Sequence, residues 1–291
     1  MSARLGIALG SGGARGWAHI GVLRALDAAH LPPDIVCGTS IGAVIGALQL
    51  TGHLPDFAHY LRRLNRIRVG PFFDVKLGAG GMIGGARVLK VLRPIFRDTK
   101  IEDLPRGFAC VATDLATGDE AWLRQGSVVD ALRASYAIPG LFPPVLLGGR
   151  WLCDGALVNP VPVSLARALG ADIVVAVDVN AGIMAPLGFE ADQPGPAERR
   201  GLGQGLIRTY FNRRRGGPSA FGVASRSLQI VQTRLSRLRL AEDPPAVVVR
   251  PEVGHIGPLE FHRTSETIDA GAAAMRAALP ALREAMRQAG G

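Results

Sequence analysis

The fold class of this chain is set by two stretches, LGIALGSGGARG at residues 5–16 and IVCGTSIGAVIGA at residues 35–47. Each begins with a short apolar run of strand length, passes through a glycine-rich turn, and enters a segment with the apolar spacing of a helix. Strands that alternate with helices are typical of a layered α/β domain with a largely parallel sheet. We therefore expect an α/β fold.

The same alternation continues along the chain. Strands are predicted at residues 108–113, 120–124, 151–156, 173–179 and 246–250. Helices are predicted at residues 17–30, 43–51, 128–135, 163–169, 225–240 and 264–288, the last of them interrupted by Pro280. The glycine-rich part of residues 70–95 is expected to form a flexible loop or lid, and residues 1–291 are expected to form one domain.

Composition excludes several classes of protein. The chain has 291 residues, of which 48% are hydrophobic and 20% are charged, so it is not a disordered protein. No uninterrupted apolar stretch reaches the roughly 18 residues that a transmembrane helix needs. Cys37, Cys110 and Cys153 are odd in number and stand in apolar settings, which disfavours both a disulfide framework and a zinc site. Free thiols indicate a reducing compartment, and we expect a cytoplasmic protein.

The net charge of +9 is concentrated in one segment. Residues 195–250, here called the basic arm, contain eleven Arg and three acidic residues. Nucleic-acid-binding proteins usually spread basic residues over the fold and interleave aromatic ones, so no nucleic-acid partner is expected. Within the arm, an apolar stripe shares one helical face: Leu228, Val231, Leu235 and Leu238. Such a helix either lies peripherally on an anionic membrane, here at its inner face, or packs on the sheet.

Residues 38–42, GTSIG, match the G-x-S-x-G pattern between a strand and a helix. This context is that of a nucleophile elbow, in which Gly38 and Gly42 relieve crowding around a strained serine. The hydroxyl of Ser40 then lies beside a helix N-terminus, whose dipole favours a developing negative charge. Ser40 is therefore the candidate nucleophile.

The glycine loop at residues 10–16 has two functional interpretations. A dinucleotide site would need G-x-G-x-x-G, but Arg15 stands where its third glycine belongs, and no Lys follows as a phosphate-binding P-loop requires. Backbone N–H groups of Gly12, Gly13 and Ala14 suit an oxyanion hole instead. A tight turn that serves helix–sheet packing is the structural alternative.

The residues leave open which group would deprotonate Ser40. In α/β-hydrolase order, Ser40, Asp178 and His255 would form a triad, each directly after a strand. Asp154, at a strand end before Gly155, would instead serve as a carboxylate base in a dyad.

Four ordered motifs, GSGGARG, GTSIGA, ASYAIPGLFPPV and DGALVNPVPV, resemble those of the patatin-like phospholipases, especially bacterial members related to neuropathy target esterase. The resemblance implies a three-layer α/β/α fold with a catalytic segment of about 5–165, and residues 166–291 as the remainder of that fold. It implies a Ser40–Asp154 dyad, an oxyanion hole at Gly12, Gly13 and Ala14, and no metal or organic cofactor. The remaining motif positions are Gly10, Arg15, Gly16, Gly38, Gly42 and Gly155. Ala156 replaces the second glycine of the family's usual Asp-Gly-Gly motif.

These features together predict a serine acyl hydrolase that cleaves lipid or lysophospholipid esters through an acyl-enzyme. A non-enzymatic scaffold of the same fold, with a regulatory or membrane-docking role, is the alternative.

Overall fold

The computed structural model describes residues 3–62, 75–78, 81–83, 86–182 and 220–290. Its strands are β1 (Leu5–Leu9), β2 (Ile35–Thr39), β3 (Val75–Gly78), β4 (Gly81–Ile83), β5 (Gly107–Asp114), β6 (Glu120–Leu123), β7 (Val145–Leu147), β8 (Arg150–Asp154), β9 (Ile173–Val177) and β10 (Val247–Val249). Its α-helices are α1 (Ala18–Ala28), α2 (Ile41–Leu50), α3 (Leu54–Arg62), α4 (Ala86–Phe96), α5 (Val128–Ser135), α6 (Val163–Ala168), α7 (Ala220–Glu242) and α8 (Thr264–Gly290). A 3-10 turn, Gly13–Trp17, leads into α1.

One large sheet organises the molecule. Hydrogen-bonded neighbours follow the order β10, β9, β1, β2, β5, β8 and β7, and β6 also pairs with β5. The strands from β10 to β5 are parallel, whereas β6, β7 and β8 pair in antiparallel fashion. The predicted α/β fold with a mostly parallel sheet is confirmed. Strands β3 and β4 form a separate antiparallel pair.

Helices cover both faces of this sheet. Because side chains alternate along a strand, Ile7 and Leu9 of β1 pack with α1, α2, α5 and α8, while Ala8 packs with α6 and with Leu240 of α7. The strands are buried on both faces, which explains why they appear as continuous apolar runs in the sequence. The resulting three layers are the architecture that the resemblance implied.

Helix α8 packs along α1 and differs from its prediction. It continues through Pro280, so the predicted interruption is wrong. Met275 and Leu282 are both buried on either side of the proline, and this packing keeps the helix continuous despite the lost hydrogen bond. The two helices approach each other closely at Gly271, where an added Cβ would lie 1.9 Å from the carbonyl oxygen of Ala18.

Two other predictions concern segments that the structure describes only in part. The expected lid at 70–95 falls partly on residues 70–74, 79–80 and 84–85, which lie outside the described residues. The basic arm is described from residue 220 onward, as α7 and β10. Within the described part of the chain, no helix combines the length and the apolar character needed to cross a bilayer.

Candidate active site

The ends of β2 and β8 meet on one edge of β5. Cys110 and Val111 of β5 pair with both β2 and β6, and the next two residues pair with both β6 and β8. A strand has only two edges, so β2 and β8 must share one. Thr39 lies opposite Val111, and Asp154 lies opposite the next residue of β5. This register brings Ser40, directly after β2, against the last residue of β8.

The turn after β2 has the geometry of a nucleophile elbow. Ser40 has φ 57° and ψ −121°, a strained conformation for a residue with a Cβ. The glycines on either side are required by close approach: a Cβ on Gly38 would lie 2.3 Å from the amide nitrogen of Ala43, and one on Gly42 would lie 2.1 Å from the carbonyl oxygen of Leu9. The N–H of Ser40 donates to Oγ of Ser135 at 2.9 Å, which holds the strained peptide in place.

Ser40 and Asp154 form a direct hydrogen bond. Oγ of Ser40 donates to Oδ2 of Asp154 at 2.6 Å, and the other carboxylate oxygen accepts the N–H of Ala156 at 2.8 Å. Both side chains are buried, with 4% and 3% of their surface exposed. Burial raises the pKa of Asp154 to about 6, although the two hydrogen bonds oppose the shift. A carboxylate with that pKa is ionised at neutral pH and is still a stronger base than an exposed one.

The glycine loop presents two backbone donors to the site. The amides of Gly10 and Ser11 donate to the carbonyl oxygens of Val177 and Pro160, which fixes the loop on the sheet edge. Gly12 and Gly13 line the cavity above Ser40, and no acceptor in the described part of the chain takes their N–H groups.

Ala14 corrects the predicted oxyanion hole. Its N–H donates to the carbonyl oxygen of Pro258 at 2.9 Å and so is not free to bind a substrate oxygen. Gly13, with φ 57°, turns the backbone against the same carbonyl. Of the three predicted donors, only Gly12 and Gly13 keep an N–H group without an acceptor in the described part of the chain.

Arg15 and His19 support the loop from beneath. Arg15 is 1% exposed and donates through Nη1 to the carbonyl oxygen of Ile256. Its pKa is lowered to about 10, chiefly by burial and next by the charge of Arg226, while Asp178 acts in the opposite direction. Burial lowers the pKa of His19 to about 4, so its neutral ring donates from Nε2 to the carbonyl oxygen of Gly10.

The remaining motif glycines sit where chains approach closely. A Cβ would lie less than 3 Å from a neighbouring atom at each of Gly10, Gly16 and Gly155. At Gly155 that neighbour is the carbonyl oxygen of Val111 on β5, so this glycine permits the turn that presents Asp154.

The alternative triad does not assemble. His255 contacts Glu266, with 2.7 Å between Nε2 and Oε1, and both side chains are exposed. Asp178 instead accepts the N–H of Asn180, and burial raises its pKa. Neither residue contacts Ser40, so the structure brings together the dyad and separates the triad.

Ser40 and Asp154 face a cavity of about 160 Å³ with a largely apolar wall. The larger aliphatic and aromatic residues that line it are Ile138, Leu141, Phe142, Leu228, Leu259 and Phe261. Helix α7 contributes one side of this wall. Among the described residues, no group of three or more His, Cys, Asp or Glu side chains is placed to hold a metal ion.

The chain is similar to one protein family and to several individual proteins. Residues 7–167 match the family described as patatin-like phospholipase. An uncharacterized NTE family protein of Mycobacterium tuberculosis is 31% identical over 96% of this chain and 92% of its own length. The chain belongs to the patatin-like phospholipase family. The lysophospholipase nte1 of Emericella nidulans is 30% identical over 92% of this chain and 17% of its own length. The solved structure of VipD from Legionella pneumophila aligns over 84% of this chain and 67% of its own, with a TM-score of 0.40 and 12% identity.

Sequence reasoning missed two parts of this patatin-like site. Ser135 stands in the ASYAIPG motif, but nothing in its spacing indicates that it binds the amide of Ser40, 95 positions away. Asn180 donates from Nδ2 to the carbonyl oxygen of Ser11 at 2.8 Å and so anchors the glycine loop from the end of β9. Its place directly after a parallel strand, beside the loop that follows β1, was the available signal.

Proposed function

We propose that this chain is a serine acyl hydrolase that cleaves lipid esters through an acyl-enzyme, with Ser40 as nucleophile and Asp154 as base. The observation that carries the proposal is the 2.6 Å hydrogen bond between Ser40 and Asp154 at a strained elbow, beside two free backbone donors. Membership of the patatin-like phospholipase family supports lipid hydrolysis as the class of reaction.

In the first half-reaction, Oγ of Ser40 attacks the ester carbonyl while Oδ2 of Asp154 takes its proton. The carbonyl oxygen becomes an oxyanion, which the N–H groups of Gly12 and Gly13 stabilise. The N-terminus of α2 adds its dipole at the same point, since that helix begins directly after Ser40. Asp154 then returns the proton to the leaving alcohol, and the acyl group remains on Ser40.

In the second half-reaction, Asp154 takes a proton from a water molecule, and the resulting nucleophile attacks the acyl-enzyme. The oxyanion forms again on the same two amides. Collapse of this intermediate releases the fatty acid and restores the hydroxyl of Ser40. Every proton transfer uses one carboxylate, and no step needs a cofactor.

The substrate class follows from the wall of the cavity. Phe142, Leu228 and Leu259 offer apolar surface to an acyl chain next to Ser40. The name of the related lysophospholipase supports lysophospholipids or phospholipids as the esters cleaved. We place the reaction in the cytoplasm, a proposal supported by the three buried free thiols at Cys37, Cys110 and Cys153.

A fluorophosphonate probe, which labels only activated serines, tests the proposal. We expect labelling of the native chain, none of Ser40→Ala, and a rate at least about 10²-fold lower for Asp154→Asn. Asp114→Asn is the matched control, because Asp114 is a second buried carboxylate at a strand end, where it accepts the N–H of Ala116 and has no contact with Ser40. Absence of labelling in the native chain would support the non-enzymatic scaffold instead, and equal losses in both Asn variants would remove Asp154 from its role.

A further inference from the structure

The buried side of helix α7 is largely polar, whereas several of its aliphatic side chains face outward. The residues buried against the rest of the chain include three polar ones: Gln229, Thr233 and Ser236. Four aliphatic residues of the same helix are exposed by 44% to 67%: Val223, Ile230, Val231 and Leu238. An ordinary surface helix shows the opposite distribution, because burial of its apolar stripe provides most of its stability.

Of the two alternatives for the apolar stripe, packing on the sheet accounts for only half of its members. Leu228 and Leu235 are half-buried, but Val231 and Leu238 face outward with 53% and 67% of their surface exposed. The polar side chains on the inward side of α7 are only partly stabilised by hydrogen bonds, since Oε1 of Gln229 and Oγ of Ser236 are buried without a hydrogen-bond partner in the described structure. Contacts within the described chain thus leave the outward aliphatic residues unexplained.

The charges on α7 indicate which kind of partner can cover its outward aliphatic residues. Ala220–Glu242 contains four Arg and a single acid, Glu242 at its last residue. Arg239 is held by Glu120 at 2.7 Å. Arg234 and Arg237, by contrast, are exposed beside the outward aliphatic residues. Neither forms an ion pair within the described part of the chain, although the charge of Arg237 opposes the rise in the pKa of the buried Asp178. Aliphatic side chains edged by unpaired Arg are the pattern of a helix that lies in the interface of an anionic bilayer.

We propose that the outer face of α7, defined as Val223, Ile230, Val231, Arg234, Arg237 and Leu238, docks on an anionic lipid bilayer. The aliphatic side chains enter the boundary between headgroups and acyl chains, and the two Arg contact lipid phosphates.

This inference rests on the proposed function for its choice of lipid as the occupant, and it deepens that function. Leu228 and Gln232, on a neighbouring side of the same helix, line the cavity that holds Ser40. Docking through the outer face therefore sets the cavity beside the bilayer that contains the lipid esters. A substrate then reaches Ser40 along α7 without passing through bulk water.

Vesicle sedimentation tests the proposal, with Ser40→Ala as the common background so that no lipid is consumed. Vesicles of phosphatidylcholine with and without phosphatidylglycerol serve as probes. Replacing Ile230, Val231 and Leu238 together by Ser is expected to weaken binding at least about 50-fold, since each loses the transfer of aliphatic surface from water. Arg234→Gln with Arg237→Gln should weaken binding to the anionic vesicles by about 25-fold and leave the weak binding to neutral vesicles unchanged.

A matched control replaces Leu115 and Leu146 by Ser, two residues equally exposed but outside α7. Its binding should stay within about twofold of the background, because exposed Leu alone does not define the surface. Equal loss in this control, or equal binding of the background protein to neutral and anionic vesicles, would overturn the proposal. So would a dimer of the background protein that the Ser variant converts to a monomer, because the face would then join two copies.

Failure of the proposed function is measured separately. Hydrolysis of a water-soluble short-chain ester by the Ser40 protein reports the chemistry without a membrane. A chain that hydrolyses the soluble ester but ignores anionic vesicles contradicts only the docking surface. A chain that binds vesicles through α7 but hydrolyses no ester contradicts only the proposed chemistry.

Discussion

Asp154 couples activity and stability through one buried carboxyl group. Its pKa is raised from 3.8 to about 6, chiefly by burial. In its proposed role as base, Asp154 must be ionised, so kcat/KM for a soluble ester should rise with pH up to about 6 and then level off. A pH–rate profile of the native chain checks this expectation, and a profile that is flat from pH 4 to 8 would contradict it.

The same shift predicts an opposite trend in stability. Between pH 3.8 and 6 the folded chain holds a proton on Asp154 that the unfolded chain has released, so this group destabilises the fold as pH rises through that window. Asp154→Asn removes the effect and keeps an acceptor for the N–H of Ala156. The free energy of unfolding of the variant should therefore exceed that of the native chain by about 3 kcal/mol more at pH 8 than at pH 3.5. Urea titrations of both proteins at the two pH values measure the difference between their free energies of unfolding. If this difference is the same at both pH values, Asp154 does not cause the loss of stability with rising pH.

Ser135 acts on the nucleophile through the backbone. Ser135→Ala leaves the N–H of Ser40 buried without its acceptor, and we expect a stability loss of about 1–3 kcal/mol together with a roughly 10²-fold lower kcat as the elbow shifts. Thr267→Ala, on α8, removes another buried hydroxyl, one that donates to the carbonyl oxygen of Arg263 just before that helix. That control should lose similar stability and keep its kcat. Equal kcat in the two variants would show that the elbow is rigid without Ser135.

At this scale the sequence predicted which residues meet in the candidate site better than which residues hold them in place. Ser40 and Asp154 stand in short motifs whose local geometry is encoded within a few residues, and the structure places them in contact. The bond between Ala14 and Pro258 depends on where a loop 244 positions later comes to rest, and no local pattern contains that information. For this reason the sequence could not show that the N–H of Ala14, the third predicted oxyanion donor, already has an acceptor.

At the scale of elements, α1 and α8 pack closely because a glycine leaves no side chain between their backbones. Gly271→Ala would set a Cβ 1.9 Å from the carbonyl oxygen of Ala18, a backbone atom that cannot turn aside. Overpacking of this kind should cost about 1–3 kcal/mol or more, well beyond the gain of about 1 kcal/mol in helix propensity.

Gly290→Ala is the control in the same helix, because a Cβ added there would meet no atom of the described chain within 4 Å. Its thermal midpoint should match that of the native chain within the usual scatter of surface substitutions. If the thermal midpoint of Gly271→Ala equals that of Gly290→Ala, the two helices can move apart to make room for the added Cβ without loss of stability.

Element boundaries were predicted well wherever the pattern was local. Val128–Ser135 is a helix as predicted, with the side chain of Ser127 capping its N-terminus. The short strand β7 was missed, since Val145–Leu147 gains its strand character only by pairing with β8. The orientation of α7 was also hidden, because a helical period shows that two faces differ but not which face meets the sheet.

At the scale of the whole molecule, sheet topology decides where the chemistry takes place. The alternation of strands and helices predicted the layers and the parallel core, but not that β8 returns antiparallel along β5. Direction and edge depend on the global path of the chain. The end-to-end meeting of β2 and β8 is consequently the feature of the site that no single segment of sequence encodes.

That meeting has a consequence for synthesis of the protein. The elbow at residues 38–42 leaves the ribosome more than a hundred residues before Asp154, which stands just past the midpoint of the 291-residue chain. Until β8 has emerged and paired with β5, Ser40 cannot contact Asp154. Even then β1, the strand beside β2, lacks its other neighbour until β9 is made. A growing or prematurely terminated chain that stops short of residue 154 therefore carries the proposed nucleophile without its proposed base.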